Sequence, residues 1–328
     1  MLIKSRPRRL RENPFMRSML EETRLKSTDF IAPLFVLNQA QGKVEITSMP
    51  GVYRFGKDDL LREIDELREL GVHSVAPFAK LDENLKDSKG EYATSESNYY
   101  LEVISLLRER HKDLNIMADI ALDPYSSDGH DGIVHQETGE ILNDKSIAAL
   151  VKLAVHCSRA GANILGPSDM MDGRVEQIRL ALEELGEKNT MIMSYCAKYA
   201  SSFYGPFRDA LDSAPKAGDK KSYQMNPANR REALRELKLD TEEGADIVMV
   251  KPALSYLDII SDFKRHSDLP VAAYNVSGEY AMVKASAQLG YGDEQKLMEE
   301  ILISIKRAGA DIILSYFSKE MARLLKNS

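Results

Sequence analysis

The chain has 328 residues, 43% of them hydrophobic, and a formal net charge of −7. It can bury one large core, is too acidic overall for a nucleic-acid protein, and has no apolar stretch near the roughly 18 residues that span a bilayer. Its two cysteines, Cys157 and Cys196, form no CxxC motif, which argues against a disulfide framework and suits a reducing cytosol.

Residues 1–28 form a basic arm with Arg6, Arg8, Arg9 and Arg11 and no apolar core of a secretory signal. A handful of charges in an acidic chain is a weak nucleic-acid footprint, so the arm reads as a solvated segment that packs on another subunit. Eight short apolar runs follow: 30–36, 73–79, 115–121, 163–167, 191–196, 246–252, 271–277 and 311–316. Helical patterns such as 58–70 and 145–160 lie between them, with apolar residues recurring at i, i+3, i+4 and i+7. Four phrases, ELGVHSVAPF, RAGANILGPS, EEGADIVMVKP and RAGADIILSYF, repeat one design: a charged helix end, a capping glycine, then a β-branched run. The runs are continuously apolar rather than alternating, as in strands covered on both faces. Eight strands alternating with helices predict an α/β chain, a (β/α)8 TIM barrel over 29–328. A doubly wound open sheet is the alternative, weakened because no strand is followed by GxGxxG or GxxxxGK[ST]. Residues 199–227 show no apolar period, are rich in Gly, Ser and Pro, and carry Arg208, Lys220 and Lys221. A loop of this length suits a cationic lid over an anionic substrate, or a plain surface excursion.

Active-site groups of such a barrel belong at the C-terminal ends of its strands. There the sequence places Asp119 and Asp123, Ser168 and Asp169, then Lys198, Lys251, Ser277 and Tyr316. Lys251 closes the run DIVMVKP. A lysine at that position is solvated, paired, or kept neutral for chemistry, because a buried ammonium is costly. Lys198 falls on the neighbouring strand, and two adjacent cations lower each other's affinity for protons. A neutral lysine amine is a nucleophile that forms Schiff bases with carbonyl compounds. Pairing with Asp119 or Asp123 is the inert alternative. The stretch 118–134, with Asp119, Asp123, Asp128, His130 and Asp131, reads as a polar turn or as an acid/base or hard-cation site. Cys196, two residues before Lys198, is assigned to the same side of its strand as a packed residue, and Cys157 to a helix core.

The phrases RPRRLR, PLFV, SMPGVYRF, PSDMMDGR, SYCAKYASSFYGPFRDA, MVKPALSYLD, YNVSGEYAMVKA and RAGADIILSYF give this chain its resemblance to the porphobilinogen synthase (5-aminolevulinate dehydratase) family over nearly its whole length. That resemblance implies a barrel with an N-terminal arm around a neighbouring subunit, commonly in a homo-octamer. It implies the condensation of two 5-aminolevulinate molecules into porphobilinogen, with loss of two waters, early in heme biosynthesis. Lys251 would form the Schiff base with the first-bound substrate, and Lys198 would bind the second. Ser277 and Tyr316 would hold one carboxylate. Arg208 and Lys220, with Gln224 nearby, would hold the other, while Tyr204, Phe207 and Tyr274 line the pocket beside Ser168. Asp119, Asp123 and Asp131 are candidates to move protons. The zinc-dependent branch carries three cysteines where this chain has Ala121, Asp123 and Asp131, and a fourth where it has Ser222, so no catalytic Zn²⁺ is expected. The aspartate-rich branch implies an allosteric Mg²⁺ at Glu236, with Asp169 of a neighbour as an outer partner, and no organic cofactor. A one-lysine aldolase and a barrel used only for assembly are the competing readings.

Overall fold

The computed structural model describes residues 3–327; Met1, Leu2 and Ser328, the outermost residues of the assigned arm and barrel, lie outside them. The strands are β1 (Phe30–Leu37), β2 (Lys43–Glu45), β3 (Tyr53–Phe55), β4 (Ser74–Lys80), β5 (Asn115–Ile120), β6 (Ile164–Pro167), β7 (Met191–Lys198), β8 (Ile247–Lys251), β9 (Val271–Asn275) and β10 (Ile312–Ser315). Eight of these, β1 and β4 to β10, pair in parallel in chain order. The ring closes where β10 meets β1, with Phe30 opposite Ile313 and Ile31 opposite Leu314. The chain is therefore a closed (β/α)8 barrel, and the open-sheet alternative falls. Strands β2 and β3 pair antiparallel beside the end of β1. With three residues each, they are too short to carry a periodic signal.

The helices are α1 (Pro14–Met19), α2 (Lys57–Glu69), α3 (Tyr99–Arg110), α4 (Asn143–Ala160), α5 (Arg174–Glu184), α6 (Gly205–Leu211), α7 (Arg231–Glu242), α8 (Leu257–His266), α9 (Ser277–Gln288), α10 (Glu294–Ala308) and α11 (Ser318–Asn327). Helix α10 shows how the sequence sets one. The Asp293 carboxylate accepts the Lys296 N–H at 2.9 Å and caps the start. Met298, Leu302 and Ile305 then recur on one buried face, where losing a side chain as large as Leu302 costs about 2–5 kcal/mol. Gly309, at φ +127°, ends the helix in a conformation that a side chain would strain. Gly71, Gly161 and Gly244 hold the same place in the other three repeated phrases, all at positive φ.

One segment departs from the sequence reading. Residues 199–227 are not structureless. Their base is zipped to the barrel, because Met225 N–H donates to the Lys198 carbonyl and Ala200 N–H to the Met225 carbonyl, each at 2.9 Å. Helix α6 follows and buries Ala210 and Leu211; seven residues are too few to show a helical period. The arm, by contrast, leaves Pro7–Arg11 and α1 without a buried side chain, and Phe15 is 87% exposed.

Candidate active site

Lys251 is the last residue of β8, and every residue of that strand is buried. No hydrogen bond or ion pair reaches its ammonium among the described residues. Four aromatic rings surround it instead: Tyr274 at 4.6 Å, Tyr195 at 5.1 Å, Tyr204 at 5.2 Å and Phe207 at 5.3 Å from Nζ to ring centre. Burial pushes this amine down to about 7, and the Lys198 charge adds to the effect. Against a solvated lysine, that preference for the neutral amine is worth on the order of 5 kcal/mol.

Lys198 ends β7 directly opposite Lys251 in the strand register. It donates to the Ser168 carbonyl and lies 3.5 Å from Asp131. The same aspartate lies 3.3 Å from Lys220 of the lid, which also reaches Asp123 at 3.4 Å. Burial alone would raise Asp131, but Lys198 and Lys220 together outweigh it and hold this carboxyl below the usual range. Burial raises Asp123, partly opposed by Lys220. Asp119 takes the Ser168 hydroxyl at 2.8 Å and is pushed up to about 7, first by burial and then by the Asp123 charge. The mouth thus holds a carboxyl able to exchange protons near neutrality beside an amine that is half neutral there.

The remaining candidates ring this pair. Tyr274 and Tyr316 share a hydrogen bond at 3.0 Å. Ser277 takes the Phe207 N–H at 3.0 Å and donates to the Phe203 carbonyl at 3.2 Å, which joins the end of β9 to the lid. Tyr204 donates to the Tyr199 carbonyl at 2.7 Å and approaches the Lys251 carbonyl at 3.2 Å. Arg208, Lys220 and Gln224 line one cavity of about 300 Å³. Arg208 has a ring contact with Tyr204 and no carboxylate partner among the described residues. Gln224 is buried, and its carbonyl oxygen has no hydrogen-bond partner among the described residues.

Two readings from sequence are corrected. Between Ser194 and Ala197, strand β7 carries a bulge against β8, three residues spanning two. The extra residue breaks the alternation, so Cys196 does not share a side with Lys198. It lies by Asp240 and Arg174 behind the strand. Asp169 does not face the mouth either. It is fully buried, accepts the Met171 N–H at 2.7 Å and lies 3.8 Å from Arg174. One residue escapes the sequence reading: Tyr195, within the run 191–196, stands over Lys251 with a buried hydroxyl that has no partner among the described residues. His130, in the stretch read as a polar turn or as an acid/base or hard-cation site, links to the lid through Tyr223, at 3.1 Å, and the Ala217 carbonyl, at 3.0 Å.

Glu236, on α7, is half-buried. Burial first, and then the Asp240 charge, push it up to about 7. It shares a cavity of about 450 Å³ with Asp172, Glu232 and Ser222. Such a carboxylate excess fits a hard cation in donor chemistry. Among the described residues, no group of three or more acidic, His or Cys side chains is placed to hold a metal, so water or a neighbouring subunit would have to complete the ligand set. The two cysteines are free and buried.

A sequence model of the family described as Delta-aminolevulinic acid dehydratase matches residues 4–324. The chain belongs to that family. A chloroplastic delta-aminolevulinic acid dehydratase of Glycine max is 52% identical over 98% of this chain and 77% of its own length. That of Staphylococcus epidermidis (strain ATCC 12228 / FDA PCI 1200) is 49% identical over 98% of both chains. The crystal structure of the dehydratase from Toxoplasma gondii ME49, described as a complex with the reaction product porphobilinogen, superposes with a TM-score of 0.97. It is 47% identical and covers 99% of this chain and 93% of its own. Membership in the dehydratase family sets aside the one-lysine aldolase and the inert barrel.

Proposed function

We infer that the chain is a hydro-lyase that condenses two molecules of 5-aminolevulinate into porphobilinogen with loss of two waters, through lysine Schiff bases, in tetrapyrrole and heme biosynthesis. One observation carries the reading: the Lys251 amine sits inside an aromatic cage with no polar partner among the described residues, where burial favours its neutral form, next to a second strand-end lysine. The Lys251 lone pair attacks the ketone carbon of the first substrate, and the resulting carbinolamine loses water to give an imine. Asp119, with Ser168, exchanges the protons of that step; Asp123 and Asp131 set the charge around Lys198 and Lys220. Lys198 takes the second substrate. Ser277 and Tyr316 hold the carboxylate of the first, and Arg208, Lys220 and Gln224 that of the second. Tyr204, Phe207 and Tyr274 exclude water from the hydrolysable imines.

The exposed arm, with Leu10, Phe15 and Met19 uncovered, supports an assembly in which it lies on a neighbour, and we assign a homo-octamer. Glu236 would hold Mg²⁺ as an allosteric activator; the outer contact expected from a neighbour's Asp169 is set aside, because that carboxyl is fully buried beside Arg174; no catalytic Zn²⁺ and no organic cofactor take part. Among the described residues no helix is long and apolar enough to cross a membrane, and free buried cysteines accord with a reducing compartment; we place the enzyme in the cytoplasm, without a membrane or nucleic-acid partner.

The test is borohydride reduction in the presence of 5-aminolevulinate, followed by mass mapping of the modified peptide. Label on Lys251, with porphobilinogen made in unreduced controls, supports the reading. A folded, Mg²⁺-supplied protein with no label on either lysine overturns it.

A further inference from the structure

Three strand ends carry the groups assigned to the first substrate: Lys251 on β8, Ser277 just past β9, and Tyr316 just past β10. One buried side chain with no assigned role joins them. Glu279, in the first turn of α9, is fully buried. One of its oxygens accepts the Leu254 N–H at 2.8 Å, three residues past Lys251. The other accepts the Val276 N–H at 3.1 Å and the Asn275 side-chain amide at 2.7 Å. The carbonyl oxygen of that amide takes the Ser315 hydroxyl at 2.9 Å, next to Tyr316. Asn275 and Ser315 are fully buried as well. The two residues before Glu279 face the lid. Ser277 bonds Phe203 and Phe207, and Gly278 packs so close that an added Cβ would lie 2.6 Å from the Phe203 backbone.

We propose that Glu279 is a positioning residue, holding Lys251, Ser277 and Tyr316 in one geometry around a single substrate through Leu254, Val276 and the Asn275–Ser315 relay. The physical need is clear. An imine forms only when amine and ketone meet within a narrow range of distance and angle. Among the described residues the Lys251 ammonium has no polar partner to fix it, so its backbone must be fixed. Both oxygens of Glu279 act as acceptors, a requirement that a carboxylate meets and a carboxamide does not. The inference rests on the dehydratase reading, and the experiment separates the two.

Glu279→Gln and Ser315→Ala are compared with the unsubstituted protein. The readouts are the first-order rate of borohydride-trapped label on Lys251 at saturating 5-aminolevulinate, per folded molecule, and steady-state kcat and KM. Glu279→Gln turns an N–H₂ toward a backbone N–H, and trapping on Lys251 falls about tenfold or more. Ser315→Ala removes the link to Asn275 and the acceptor of the Phe317 N–H, both at the Tyr316 end, and leaves the Glu279 bonds to Leu254 and Val276 in place, so KM rises several-fold while kcat stays within about twofold. Wild-type trapping in folded Glu279→Gln overturns the proposal, as does an unchanged KM in Ser315→Ala. If Glu279→Gln does not fold, the Ser315→Ala result decides. Absence of any imine in the unsubstituted protein overturns the reaction itself and is read before either variant is used.

Discussion

Lys198 and Lys251 are register partners on β7 and β8, yet their ammonium groups live in different surroundings. Lys198 has a carbonyl and the Asp131 carboxylate; Lys251 has four rings. Identical side chains one strand apart are thus given different work. The paired cation is held in place, and the unpaired amine is free to react.

A pH dependence follows for Lys251. Only the neutral amine attacks a ketone, and burial plus the Lys198 charge lower this group to about 7. Imine trapping should therefore be weak at acid pH and rise with pH through about 7. Lys198→Met removes one of the two causes, so the Lys251 amine becomes more basic and the midpoint moves upward. Trapping on Lys251 over about pH 5–9 checks this. A midpoint that stays put, or moves down, would show that the neighbouring charge has no part in tuning the amine.

Tyr195→Phe removes a buried hydroxyl that has no partner among the described residues while keeping the ring over Lys251. An unsatisfied buried polar group costs about 1–3 kcal/mol, so the variant should melt higher than the parent. If the hydroxyl serves the substrate, kcat falls about tenfold at the same time. A lower melting temperature would mean that the hydroxyl is satisfied in the free protein.

The barrel was legible because each of its eight strands is a largely buried apolar run and four αβ junctions repeat a glycine. Lys251 was legible for a related reason: a charge that ends an apolar run is out of place unless it has a task. The β7 bulge was not legible. It exists only relative to β8, and a lone strand shows no register. That one extra residue sends Cys196 behind the barrel and hides the role of Tyr195, since an aromatic within MIMSYC looks like packing. Helix α6 was missed because its seven residues fall short of two turns. Glu279 was unreadable for a different reason. Its three donors come from two separate strand ends, and only folding brings them together.

Glu236 offers a test of the proposed cation. A ligand that binds only the folded protein stabilises it in proportion to the logarithm of its concentration over Kd. Mg²⁺ added to EDTA-treated protein should raise both the melting temperature and kcat/KM, and Glu236→Ala should abolish both responses while leaving Lys251 trapping intact. Equal responses in parent and variant would place the cation elsewhere.

Arg208 and Lys220 line the same cavity but should fail in different ways. Among the described residues Arg208 has no carboxylate partner to lose. Arg208→Ala should leave stability within about 0.5 kcal/mol and raise KM for the second substrate roughly 10- to 100-fold, the scale of a charge-assisted carboxylate contact. Lys220 lies between Asp123 and Asp131. Lys220→Met leaves the buried Asp123 without its ion pair and Asp131 with Lys198 alone, a cost of about 3–5 kcal/mol. That cost falls on the contact between lid and barrel, so the lid should open. Hydrogen exchange and limited proteolysis across 199–227 should then accelerate in Lys220→Met and stay at the parent rate in Arg208→Ala. Equal lid protection in the two variants would show that the Lys220 triad does not hold the lid down. An Arg208→Ala enzyme with unchanged saturation would remove Arg208 from the carboxylate clamp.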